Sequence, residues 1–252
     1  LANKDVMFYI SNELNKVDGK KFKYSVQTNG SLLDEETAIL LKKYHFSVGL
    51  SLDGWGEHNR DRIYANQKTT FNDTINVLNL LKRHDLTPGI SCTITKKTYT
   101  FLPDIVDFFH SLGVKGIGFN IILDAQGQDS AVVNPERLAY FMFKAYRRAH
   151  ELGIAEDRVG ERRVAHFFKE IPRVYDCPGY GQQIYFSPNG NMGPCQAFHS
   201  MNQYQIPVTS TIENSVVFYA WLKMGGPFKS EVCMDCPAIG ICGGACPYAV
   251  YT

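Results

Sequence analysis

The sequence predicts an α/β fold built on parallel strands, followed by a small cysteine-rich domain that contains a β-hairpin. Three observations lead to it. Strand and helix patterns alternate from residue 4 to residue 152, which implies parallel strands joined by right-handed helical crossovers. The legible strands end in polar or small residues. Six of the seven cysteines lie between Cys177 and Cys246, in a stretch rich in glycine and proline.

The elements come in this order. Residues 4–15 read as an amphipathic helix. Phe22–Gln27 reads as a strand stopped by the turn signal Thr28-Asn29-Gly30. Asp34 is an N-cap, with Glu35 and Glu36 in the first turn of a helix that runs to about Tyr44. Ser47–Leu52 is a strand that ends in Asp53-Gly54. Phe71–His84 carries Ile75, Leu78 and Leu81 on one helical face. Pro88–Thr95 is a strand, and Leu102–Leu112 is a helix with Pro103 at its start. Gly116–Leu123 is a strand, and Asn134–Leu152 is a helix with Pro135 in its first turn. Its aromatic residues Tyr140, Phe141, Phe143 and Tyr146 are assigned to the core. Cys92, in an alternating strand, reads as a small buried hydrophobe. The chain is charged from Glu156 to Arg163, and Val164–Ile171 reads as a short helix. The domain boundary is placed at 170/171.

Four strand ends present Gln27, Ser51 with Asp53, Thr93 with Thr95, and Asn120. In parallel sheets and barrels the C-terminal strand ends build the active site, so these residues should share one rim. Asp53 is read as capping its turn rather than as a base, and Trp55 is a candidate for the pocket mouth.

Charge excludes some partners. The chain has 26 Lys and Arg against 25 Asp and Glu, a net charge of +1. That balance gives no electrostatic footprint for nucleic acid or for an anionic membrane. No apolar run approaches the ~20 residues that cross a bilayer. Leu1–Asp5 has no secretory-signal pattern. The reading is a soluble, cytoplasmic protein.

Clustered thiols after a cysteine-poor region point to metal rather than to disulfides, because the cytosol keeps thiols reduced. Gln183–Ser187 and Asn191–Pro194 flank Pro188-Asn189-Gly190, a hairpin signal that draws Cys177 toward Cys195. Then comes Cys233-x2-Cys236-x5-Cys242-x3-Cys246, with Gly240, Gly243 and Gly244 interspersed. Glycines let backbone N–H groups point at sulfur. Thiolates suit iron–sulfur clusters and zinc alike. An alternative is therefore a zinc-binding interaction module on a degenerate α/β domain, with four thiolates closing a tetrahedral site. A disulfide-stapled secreted protein is a third reading.

The pattern Cys…Gly-x4-Cys with the 2-5-3 spacing after it resembles the SPASM domain, which comes after the radical S-adenosylmethionine (SAM) barrel in peptide- and protein-modifying enzymes. Six of its seven cysteine positions are matched. The earlier part resembles the same family. Ser25–Gly30 is similar to its strand ending in "TNG". Gly49–Gly54, with Arg62 beyond it, is similar to its "SLDG…R" segment. Leu1 resembles the residue next after the family's "GGEP" motif. The resemblance implies a partial (β/α)6 radical SAM barrel over 1–170 and a SPASM domain over 171–252. The family's Cys-x3-Cys-x2-Cys loop, which holds the SAM-cleaving [4Fe–4S] cluster, is not in this sequence, nor is the seventh SPASM cysteine. The chain therefore reads as truncated at both ends and is expected not to cleave SAM alone.

The resemblance also implies roles. Ser51 would contact SAM, and Gln27 and Asn120 would contact SAM or substrate. Cys177, Cys195 and Cys246 would help hold one auxiliary [4Fe–4S] cluster, and Cys233, Cys236 and Cys242 a second. The fourth ligands stay open, and His199 is set aside as one. The implied partners are a ribosomally made peptide or protein substrate and an electron donor such as flavodoxin or ferredoxin. Sulfatase-maturing members hold an acidic residue at the position of Gln196, next to Cys195. A thioether or carbon–carbon cross-link is therefore the better expectation than formylglycine.

Overall fold

The computed structural model describes residues 3–122, 133–198, 203–212, 215–223, 231–244, 246 and 248. The chain forms two compact units, Leu1–Ile122 with Ser130–Gly160, and Leu123–Asp129 with Glu161–Thr252.

The first unit opens with α1 (Lys4–Leu14) and then alternates: β1 (Ser25–Thr28), α2 (Glu35–Lys43), β2 (Ser47–Ser51), α3 (Phe71–Arg83), β3 (Gly89–Ile94), α4 (Leu102–Ser111), β4 (Gly116–Ile121), α5 (Pro135–Glu151) and β5 (Ala155–Glu156). The strands form one parallel sheet in chain order, as helical crossovers require. Asp34 caps α2 by accepting the Thr37 N–H at 2.8 Å. Leu123, the last residue of the fourth expected strand, lies outside the described residues.

The sheet's two faces differ because side chains alternate along a strand. On one face Leu50, Ile90, Cys92, Ile94, Ile117 and Phe119 are buried. Leu78 and Leu81 of α3, Ile105, Val106 and Phe109 of α4, and Ala145 and Ala149 of α5 belong to the same core. The other face carries Gln27, Gly49, Ser51, Ser91, Thr93, Gly118 and Asn120, all partly or fully exposed.

The sequence pattern missed β5, where it shows only a change to charged residues. Glu156 explains this. Its carboxylate is buried, yet it accepts N–H groups of Arg158 at 2.7 Å, Val159 at 2.8 Å and Gly160 at 3.0 Å. These donors open the wide π-helical turns of Asp157–Val164. Burial raises the Glu156 pKa, and the three donors oppose the rise.

Two of the four α5 aromatics are a correction, whereas Phe141 packs against the core as expected. Tyr140 and Phe143 are exposed, and the core face of α5 is Leu138, Met142, Ala145 and Ala149. Those four recur at helical spacing on one side, so residues 140 and 143 turn outward. Lys144 lies over the Tyr140 ring at 4.6 Å. Trp55 packs against His58, with ring centroids 4.0 Å apart, and against Phe108 at 6.0 Å. It therefore joins the edge of the core.

The second unit is built differently. Its helices are short: α6 (Ala165–Phe168), α7 (Val216–Lys223), α8 (Glu231–Met234) and α9 (Ile239–Cys242). The expected hairpin forms from β6 (Tyr185–Phe186) and β7 (Asn191–Gly193), and β8 (Ile206–Pro207) pairs with β7 to make three antiparallel strands. Phe198, Trp221 and Tyr248 form a buried aromatic cluster, in which Phe198 meets both other rings edge-on at 5.0 Å. The Trp221 indole N–H donates to the Gly179 carbonyl. No helix among the described residues is long and apolar enough to cross a membrane.

Candidate functional site: a polar sheet face and a six-thiol unit

Register brings the rim residues together. Gln27 lies opposite Gly49, Ser51 opposite Ser91, and Thr93 opposite Asn120. The Gln27 amide N–H donates to the Ser51 hydroxyl oxygen at 3.2 Å. Gly49 makes this possible, because a Cβ there would stand 2.1 Å from Gln27 Oε1. On the next strand pair the Asn120 amide donates to Ser91 Oγ at 2.7 Å. Each serine accepts from an amide and keeps its own O–H to donate. The face can thus hold a polar ligand through hydroxyl donors and amide carbonyl acceptors. None of these side chains is an acid or a base.

Ser91 was missed at the sequence level. The signal was available in Gly89, Ser91 and Thr93, the small or polar residues that alternate with Ile90, Cys92 and Ile94 along β3.

Asp53 is a structural hub. Its carboxylate accepts Arg62 Nε–H at 2.7 Å, Arg62 Nη2–H at 2.8 Å and the Thr93 backbone N–H at 2.7 Å. Its own N–H donates to Asn59 Oδ1 at 3.0 Å. Arg62 Nη2 also donates to the Thr93 hydroxyl at 2.9 Å. The paired aspartate and arginine of the "SLDG…R" resemblance thereby tie the loop after β2 to β3.

In the second unit, all six cysteines are free and partly buried. Cys233 and Cys236 share a tight turn closed by the Cys236 N–H donating to the Cys233 carbonyl at 3.1 Å. The residues on either side of Cys242 are stitched to the segment before Cys177. Arg173 N–H donates to Gly240 O, and Asp176 N–H to Gly243 O, both at 2.7 Å. Gly243 has φ of 66°, and a Cβ on it would come within 2.6 Å of the Asp176 nitrogen. Only glycine allows that approach.

Burial pushes the Cys195 thiol up, and the charges of Cys177 and Cys246 add to the rise. The backbone N–H groups of Ala197 and Phe198 draw it down. Tyr180 is raised by burial and then by Cys246, Cys177 and Cys233. Cys177 and Cys246 thus lie within electrostatic reach of Cys195, and Cys233 joins them in the neighbourhood of Tyr180. Among the described residues no three Cys, His, Asp or Glu side chains converge tightly enough to hold a metal ion. His199 lies outside the described residues. The donor set is six soft sulfurs, so these residues fit iron–sulfur ligation in kind.

No family model matches the chain. It is 28% identical over 250 residues to the antilisterial bacteriocin subtilosin biosynthesis protein AlbA of Bacillus subtilis, covering 93% of this chain and 53% of AlbA. It is 26% identical over 259 residues to the radical SAM cyclopropyl synthase TigE of Paramaledivibacter caminithermalis, covering 99% of this chain and 52% of TigE. The chain thus spans about half the length of these relatives. Among solved structures, native anSMEcpe with bound AdoMet superposes with a TM-score of 0.81 at 20% identity, covering 97% of this chain and 71% of that one. The same protein with AdoMet and the Kp18Cys peptide gives 0.80 at 21% identity, covering 96% and 70%. The structural likeness shows the fold, and the sequence relatives bear out the likeness to radical SAM maturases.

Proposed function

We propose, from this kinship with radical SAM maturases, that the chain is part of an enzyme that modifies a side chain of a ribosomally made peptide or protein. The observation that carries the proposal is the sequence relationship to AlbA and TigE, which covers 93% and 99% of this chain. A bound SAM and a reducing cluster would supply the oxidising power to remove a hydrogen atom from an unactivated carbon. The chain's own residues bind and orient. Gln27, Ser51, Ser91 and Asn120 would hold SAM or the peptide on the polar sheet face and hold the reacting atoms in register. Cys177, Cys195 and Cys246 would ligate one auxiliary [4Fe–4S] cluster, and Cys233, Cys236 and Cys242 a second. Gln196 supplies no carboxylate beside Cys195, which favours a thioether or carbon–carbon cross-link over formylglycine formation. A flavodoxin- or ferredoxin-type donor would supply electrons.

The test uses the full-length protein, reconstituted anaerobically, with iron, zinc and acid-labile sulfide counted per chain. The expected result is iron with sulfide, a cluster's worth lower in Cys233→Ala and Cys236→Ala variants, and 5′-deoxyadenosine formed under reductant. Zinc without sulfide would replace this reading with a structural zinc module.

A further inference from the structure

Two of the six thiols, Cys195 and Cys246, pack against the buried ring cluster of Phe198, Trp221 and Tyr248. A third, Cys177, is reached from the same rings by a relay of hydrogen bonds. Trp221 of α7 donates its indole N–H to the Gly179 carbonyl, and the Gly179 N–H donates to Cys177 Sγ at 3.4 Å. Trp221 is only 1% exposed, so water does not compete for its N–H.

The turn that carries the relay is tightly held. Tyr180 N–H donates to the Cys177 carbonyl at 3.3 Å, and Gln182 N–H to the Pro178 carbonyl at 2.8 Å. A Cβ on Gly179 would stand 3.3 Å from Cys177 Sγ and 3.5 Å from Gln183 Nε2, so a side chain there would press on the sulfur. The Gln183 amide donates in turn to the Pro194 carbonyl at 2.8 Å, next to Cys195. Glycine is the residue freest to swing away, and Trp221 holds the carbonyl of the very glycine whose N–H faces the sulfur.

A thiolate ligand carries negative charge. An N–H donor stabilises that charge, more so once a bound cluster has taken an electron. Hydrogen bonds to sulfur are one of the levers that set an iron–sulfur potential, and groups behind the ligands orient them. We infer that Trp221 is a positioning residue for the Cys177–Cys195–Cys246 site, which aims the Gly179 N–H at the Cys177 sulfur and so raises the reduction potential of a cluster held there. The inference deepens the proposed function and rests on it for the presence of iron and sulfide.

The test uses the full-length protein, reconstituted anaerobically, with two replacements of the indole. One is Trp221→Phe. The other places 3-benzothienylalanine at position 221, which keeps the shape of tryptophan and has sulfur where the N–H was. Iron and acid-labile sulfide are counted, and a potentiometric titration followed by electron paramagnetic resonance reads the potential of each cluster. The expected result is wild-type iron and sulfide, with one cluster harder to reduce by about fivefold in its equilibrium, roughly 40 mV for one electron, and the others unmoved. Where Trp221→Phe loses iron through poorer packing, the isostere decides, because it fills the same volume. Potentials that all stay within about 1.5-fold of wild type in the isostere variant overturn the inference and leave the proposed function standing. Zinc without sulfide in the wild type overturns both.

Discussion

The two units reach order by different routes. The first buries a continuous core between one sheet face and its helices, with Leu50, Leu81, Ile105 and Phe109 fully enclosed. The second has strands of two or three residues and a small aromatic cluster. It leaves Phe186, Val216 and Val232 largely exposed. A core of that size rarely supports a fold, and small domains of this kind lean on metal ligation. The contrast teaches where substitutions will hurt. The first unit should fail through lost packing, and the second through lost thiolates.

The largest effect should come from removing iron. In the full-length protein, hydrogen exchange measured with and without the clusters should show amides around Cys177–Phe198 and Glu231–Cys242 losing protection on removal, while β2, β3 and α4 keep theirs. Equal protection of the second unit without iron would break the comparison. Next is Phe109→Ala in α4, which deletes a fully buried ring. A loss of about 3–5 kcal/mol is expected from urea unfolding monitored by signals of the first unit. A cost under about 1 kcal/mol would mean the core is not what holds that unit.

The smallest effect sharpens the comparison at one helix. The Thr37 hydroxyl, and then its N–H, lower the Asp34 pKa to about 2. The folded value lies below the usual 3.8, so the stabilisation is present above pH 3.8 and is lost as pH falls toward 2. Asp34→Ala should therefore cost about 1 kcal/mol at neutral pH and almost nothing near pH 2, as read from unfolding midpoints along that range. A pH-independent cost would mean that the carboxylate does not act as the cap.

Much of the first unit was legible. The four longer strands and their helices arise from hydrophobic period and turn signals, and Cys92 is buried as its alternating strand requires. Tyr140 and Phe143 misled, because aromatic content does not by itself say which side of a helix faces inward. β5 was hidden because its anchor is a buried glutamate whose partners are backbone N–H groups rather than apolar neighbours. In the second unit, the Asn189-Gly190 turn announced two strands, but β8 joins from beyond the hairpin and leaves no local mark.

By itself, then, the sequence determined the order of elements, the polar strand ends and the spacing of six thiols, because each is written in residues near one another along the chain. Tertiary structure decided which of those residues meet. Asp53 finds Arg62 and Thr93, Ser91 finds Asn120, and Gln27 crosses Gly49 to reach Ser51. Most of these pairs join strands 24 to 40 residues apart. Their contact depends on strand register, which the packing of the whole sheet sets and no local pattern encodes.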